Sequence, residues 1–133
     1  MKLTDKDRNA LVKVRLQNAK EALEEVRGNV GLGYWRVVAN RLYYACFYAT
    51  SALLIKHGIT AHTHAGVINQ MGLRFISTGI ISQEQGKLHK HLFELRQTGD
   101  YDDWIHIQKE DVLPLIEPVE QFIATIENLI SSL

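Results

Sequence analysis

The chain has a single cysteine among 133 residues, no excess charge of either sign and no long uninterrupted apolar run. With Cys46 alone no intrachain disulfide can form. A free thiol in an apolar stretch behaves as a small hydrophobe, which suits a reducing compartment. Fifteen basic and fifteen acidic side chains cancel. That removes the general argument for non-specific nucleic-acid binding, which wants a strongly basic surface, and leaves only local patches. Residues 37–55 are broken by Asn40 and Arg41, and the clean run 42–55 falls short of the ~20 apolar residues a membrane span needs. Residues 1–9 are charged and hold no apolar signal core, so a cytoplasmic protein with no membrane partner is expected. No segment shows the alternation of a half-buried strand.

What is present is helical periodicity. Apolar residues make up 46% of the chain and charged residues 23%, a balance that suits a soluble globular protein. A chain this long buries roughly two-thirds of its unfolded surface, so one domain over residues 1–133 is expected. Val12, Leu16, Ala19, Leu23, Val26 and Val30 alternate spacings of four and three, one narrow face of a first helix that starts near Thr4 or Asp5. Gly28, Gly31 and Gly33 are expected to end it; their order does not fit a phosphate-binding loop. The second helix, about 34–57, is apolar nearly all round and therefore central, with Gly58 as a left-handed cap. A third helix is expected over 63–77, with Val67, Ile68, Met71 and Phe75 inward, and a fourth over 82–97, ended by Gly99. The last repeats by sevens in two registers, Val112, Val119, Ile126, Leu133 and Ile116, Ile123, Ile130. Pro118 should kink it near its start, and Pro114 is tolerable in a first turn. The fold class is all-α, an antiparallel up-down bundle of about five helices.

The polar residues inside this pattern are the candidates for function. Histidines pair as His62/His64 and His89/His91, but zinc wants three or four converging ligands, and partners two apart on a helix diverge by ~200°. No metal and no cofactor is expected, and the histidines are read as surface or capping residues. Helix two carries Arg36, Asn40, Arg41, Tyr43, Tyr44 and Tyr48 among apolar neighbours. Buried polar groups need partners, and Asp100, Tyr101, Asp102 and Asp103 are the densest supply. Two readings follow. In one, Arg96 and Asp100, four apart, pair with each other and with helix two as a structural network. In the other, Arg96 or Arg41 meets a phosphate in a cleft, which three nearby aspartates would oppose. The structural reading is the stronger.

The segments NRLYYACF (40–47), THAGVINQMGLRFISTG (63–79) and FELRQTGDYDDW (93–104) together resemble one branch of the HEPN domain family. The combination is Arg-x-x-Tyr in helix two, His64 opening helix three, and Arg-x-x-x-Asp-Tyr closing helix four. The resemblance implies a HEPN-like helical bundle, often a homodimer and often encoded beside a minimal nucleotidyltransferase. Many such proteins are metal-independent ribonuclease toxins. Their motif is an arginine, four to six residues, then a histidine: the arginine holds the scissile phosphate and the histidine moves the proton of the attacking 2′-hydroxyl.

This chain has the arginine as Arg96, but after four intervening residues stands Tyr101, and His106 is too far along. A phenol with pKa near ~10 is a poor base at neutral pH, so catalysis is not expected, and Arg96, Asp100 and Tyr101 are its first candidates. The resemblance also makes Tyr101 the candidate for modification by AMP from a partner transferase. The expected function is a binding module for nucleotide or RNA, or for a nucleotidyltransferase partner as in toxin–antitoxin pairs. Asn40, Arg41, Tyr44, His64, Arg96, Asp100 and Tyr101 form its ligand site or polar network. The alternatives are a ribonuclease toxin with Arg96 on the phosphate and Asp100, Tyr101 or an imported His64 handling the proton, and a purely structural interaction protein.

Overall fold

The computed structural model describes residues 3–132. Five α-helices, α1 (Asp5–Leu32), α2 (Trp35–Lys56), α3 (His64–Met71), α4 (Gln83–Tyr101) and α5 (Lys109–Ser131), build an all-α bundle. No strand occurs among the described residues. Leu133, the last member of the heptad series, lies outside them.

Thr4 is the N-cap of α1, its hydroxyl accepting from the Asp7 N–H at 3.1 Å. Of the expected stripe the helix buries Val12, Ala19 and Val26, with Ala22 beside them, while Leu16, Leu23 and Val30 are half-buried. It does not stop at Gly28 or Gly31, however. Neither has a positive φ, and a glycine inside a helix costs only about 1 kcal/mol relative to alanine. The glycine that ends α1 does so by taking the left-handed conformation, which only Gly33 adopts there, at φ 74°. The Gly33 N–H then bonds the Val30 carbonyl and the Tyr34 N–H the Asn29 carbonyl, a Schellman closure.

Helix α2 is the hub, packed against α1, α3, α4 and α5. Val38, Leu42, Ala45, Cys46, Ala49 and Leu53 are completely buried, as a helix apolar on every side requires. Burial pushes the Cys46 thiol well above its ordinary pKa, so it stays protonated and inert.

The third helix departs from its expected length. After Met71 the chain widens into a π-helical turn, Gly72–Ile76, closed by the Ser77 N–H on the Gly72 carbonyl at 2.9 Å. Val67, Met71 and Phe75 are buried, whereas Ile68, expected inward, is half-buried and Leu73 is exposed.

Helix α4 overruns its expected end as well. Gly99 does not terminate it: its φ is not positive, and α4 continues to Tyr101. Glycine is needed there for space, because a Cβ would overlap the Ile107 side chain. The extension places Arg96, Asp100 and Tyr101 on one continuous helix.

In α5, Gln108 and Asp111 form a reciprocal capping box. Pro114 is the sixth residue of the helix, beyond the first turn where it was expected, and α5 runs through both prolines. Both are exposed, so the carbonyls of Glu110 and Pro114, which lose their N–H partners, lie on the solvent side. The opposite face buries Val112, Val119, Phe122, Ile123 and Ile126.

Candidate functional site

On α2, Asn40, Tyr43, Tyr44 and Phe47 share one face at spacings of three and four. That face meets the last turns of α4 and the first residue of α3. Arg96 comes in from α4 with only 9% of its surface exposed. Its guanidinium carbon stands 5.1 Å from the Tyr43 ring centre, 5.8 Å from Tyr44 and 6.0 Å from Tyr101. Its NH1 is 3.7 Å from the Asp100 Oδ2 one turn on. The same carboxylate oxygen accepts from the Asn40 Nδ2 at 3.2 Å. The Asn40 Oδ1 in turn accepts from the Arg41 Nε at 3.0 Å and NH2 at 2.7 Å. Arg41 also lies over the Tyr44 ring and reaches Glu25 of α1 at 3.5 Å. A chain of charge and amide thus runs from Arg96 through Asp100 and Asn40 to Arg41, with tyrosine rings supplying cation–π faces. The Arg96 Nε is buried with no acceptor, so the network does not use the whole guanidinium.

His64 completes the group from α3. Thr63 caps that helix through its hydroxyl on the Gly66 N–H, which fixes the direction in which His64 leaves the chain. The His64 Nδ1 shares a hydrogen bond with the Tyr43 hydroxyl, and the imidazole lies 4.5 Å, centre to centre, from the Phe47 ring. Burial, and secondarily the Arg96 cation, lower the His64 pKa below its ordinary value, so the ring is neutral at pH 7. Tyr43 is fully buried, and burial raises its phenol above the ordinary range despite Arg96, so it stays protonated. From sequence, Tyr43 was one polar residue of the second helix without an assigned partner. Its place beside Asn40 and Tyr44 on one helix face was the available signal.

Other residues settle elsewhere. Tyr101 is 74% exposed at the rim. Asp102 turns away from the network to accept the Trp104 N–H at 2.9 Å, and Trp104 projects into solvent with 92% of its surface free. A cleft of about 440 Å³ opens beside the network between Arg36, Val37, Asn40, Asp100 and Tyr101.

His89, read as a surface or capping residue, is instead completely buried. Its Nδ1 is 3.5 Å from the Thr50 hydroxyl, whose oxygen also lies 3.6 Å from the Met71 sulfur, and its Nε2 has no partner. Burial, with a smaller contribution from His64, lowers its pKa to about 4. Its apolar surroundings on α2, α3 and α5 were invisible in a pattern that reads one helix at a time. Among the described residues no three His, Cys, Asp or Glu side chains gather as a metal site would require, and no helix is long and apolar enough to cross a membrane.

The sequence profile of the HEPN domain matches residues 12–129, nearly the whole bundle. The chain belongs to the HEPN family. A UPF0332 protein of Thermotoga maritima is 32% identical over 96% of both chains. Two Methanocaldococcus jannaschii proteins, named Putative toxin MJ0142 and Putative toxin MJ0605, are 30% and 27% identical. They are matched over 72% and 98% of this chain, and over 65% and 97% of their own lengths.

Within this HEPN bundle, Arg96 lies in the last turns of α4. Tyr101 rather than an imidazole follows after four residues on α4. The His64 imidazole arrives from a different helix and is held by Tyr43.

Proposed function

We propose that this HEPN chain, a single domain, is the toxin-type component of a toxin–antitoxin pair and acts by binding rather than by cutting RNA. The observation that carries the reading is the engagement of Arg96. Its charge faces Asp100 and three tyrosine rings, and no imidazole follows it on α4. An arginine held in this way orders the α2–α4 junction, and the ligand is met beside it. There the exposed Arg36 offers a guanidinium to phosphate, Tyr101 a ring face to a base, and Asn40 an amide. The ligand class is a nucleotide or unpaired RNA. The protein works in the cytoplasm as a homodimer with a minimal nucleotidyltransferase as partner. The names of the Methanocaldococcus relatives and the family membership support the toxin-type reading.

Tyr101 suits modification by that partner. Its phenol oxygen would attack the α-phosphorus of ATP, forming a tyrosyl–AMP ester and releasing pyrophosphate and the phenolic proton. Its exposure supports this role.

One observation favours a second reading, ribonuclease activity. His64 is neutral at pH 7, lies close enough to Arg96 to feel its charge, and is oriented by Tyr43, as a general base would be. The deciding experiment incubates a mixed RNA pool without added metal with wild type, Arg36→Ala, Arg96→Ala and His64→Ala, scoring retention and cleavage together. Retention without cleavage by wild type, lost in Arg36→Ala, is the expected result. Cleavage by wild type that disappears in both Arg96→Ala and His64→Ala would replace the binding reading with the ribonuclease one.

A further inference from the structure

A separate cleft of about 590 Å³ lies between the start of α1, the end of α2 and the loop leading to α3. Helices α1 and α2 run antiparallel, with Lys56 reaching Asn9 and Arg41 reaching Glu25. The cleft therefore sits at the end of α2 far from Asn40. Its volume is that of a pocket for a small organic ligand. Its wall is divided between apolar side chains, among them Leu54, Ile55 and Ile59, and the polar groups of Arg8, Arg15 and Ser51. No carboxylate lines it. The carbonyls closing α2 are engaged by the N–H groups of His57, Gly58 and Ile59, which limits the negative charge the backbone presents.

Arg15 makes this cleft more than a surface depression. It forms no ion pair among the described residues, and its Nε is buried without an acceptor. A buried guanidinium donor left unsatisfied is costly, and an anionic oxygen is the group that relieves it. Arg8 adds a second guanidinium whose partner, Asp5, is 95% exposed; such a surface pair is weak and yields readily to a competing anion. Two guanidinium groups match the two negative charges of a phosphate monoester better than the single charge of a carboxylate. The apolar wall fits an organic body attached to that phosphate.

We propose that this cleft is a second binding site, for a small organic phosphate monoester, with Arg15 and Arg8 on the phosphate and Leu54, Ile55 and Ile59 against the body. The loop that walls the cleft leads within a few residues to Thr63 and His64, so occupancy is placed to influence the orientation of His64.

Naphthyl phosphate titrated into the full chain, followed by amide NMR, tests the site. The expected result is saturable shifts at Ser51, Gly58, Thr60 and Ala61, with affinity about tenfold weaker in Arg15→Gln and in Arg8→Gln. Naphthol should bind at least as weakly as the variants bind the phosphate. Circular dichroism establishes that each variant is folded, and Arg8→Gln, on a half-exposed residue, serves if Arg15→Gln is not. An absence of shifts would overturn the proposal, as would equal binding of naphthol, shifts confined to Asn40, Asp100 and Tyr101, or unchanged affinity in a folded variant.

Discussion

Arg96 and Asp100 face each other one turn apart on α4, with 3.7 Å between the guanidinium NH1 and the carboxylate Oδ2, and through that carboxylate α4 is tied to Asn40 of α2. The pair is local in sequence but long-range in effect. It fixes the end of one helix against the second turn of the hub.

Arg96→Ala should therefore lower the unfolding free energy by about 2–3 kcal/mol. A wholly buried pair loses about 3–5, and the Asp100 side chain, still 27% exposed, recovers part of that through solvation. Arg96→Lys should lie between, keeping the charge but losing the planar faces against Tyr43 and Tyr44. Urea unfolding of the three proteins measures the order; equal stability of all three would contradict it.

His64 should titrate below the ordinary imidazole value, and its midpoint should rise in Arg96→Gln. The sign follows from the causes: burial and the Arg96 cation both disfavour the protonated ring, and the substitution removes only the second. Imidazole NMR signals followed across pH would show the movement. A midpoint that does not move would mean that Arg96 exerts no electrostatic influence on this ring.

Stability should fall as pH drops from about 6.5 to about 4, with His89 the principal histidine contributor. The folded protein holds His89 neutral with a pKa of about 4, whereas the unfolded chain takes up the proton near 6.5. The unfolded state thus binds more protons between these values, the penalty is absent above that window, and it is complete below it. The full effect is about 3 kcal/mol, from ~1.4 kcal/mol per pKa unit. His64 acts in the same direction. His89→Gln should flatten the slope, measured as urea midpoints at several pH values, and an unchanged slope would remove His89 as its source.

Gly28→Ala and Gly31→Ala should each raise stability by about 0.5–1 kcal/mol. Both glycines are exposed helical positions where an added Cβ meets nothing within 4 Å. Gly33→Ala should cost about 1 kcal/mol instead, because its φ of 74° disfavours a side chain. Thermal melts of the three variants give the comparison directly.

The helices were legible because each writes its own apolar stripe, and Thr4, Ser82 and Gly58 mark ends by local chemistry alone. The errors fell where local signals are ambiguous. Gly28, Gly31 and Gly99 look like terminators, but none of them takes the positive φ that Gly33 and Gly58 do, and the helix runs on through each. At Gly99 the residue is required by Ile107 across the gap rather than by a turn. The π-helical turn after Met71 likewise left no mark in the apolar spacing.

For the candidate site, sequence alone supplied the polar residues of α2, the four-residue spacing of Arg96 and Asp100, and the presence of Tyr101 directly after Asp100. It could do so because those relations lie within single helices. Only the tertiary structure decided that His64 meets Tyr43, that Asn40 rather than Arg41 holds Asp100, and that His89 is enclosed with Thr50. Each of these joins residues from different helices, and their relative rotation and depth are set by the packing of the whole core around α2.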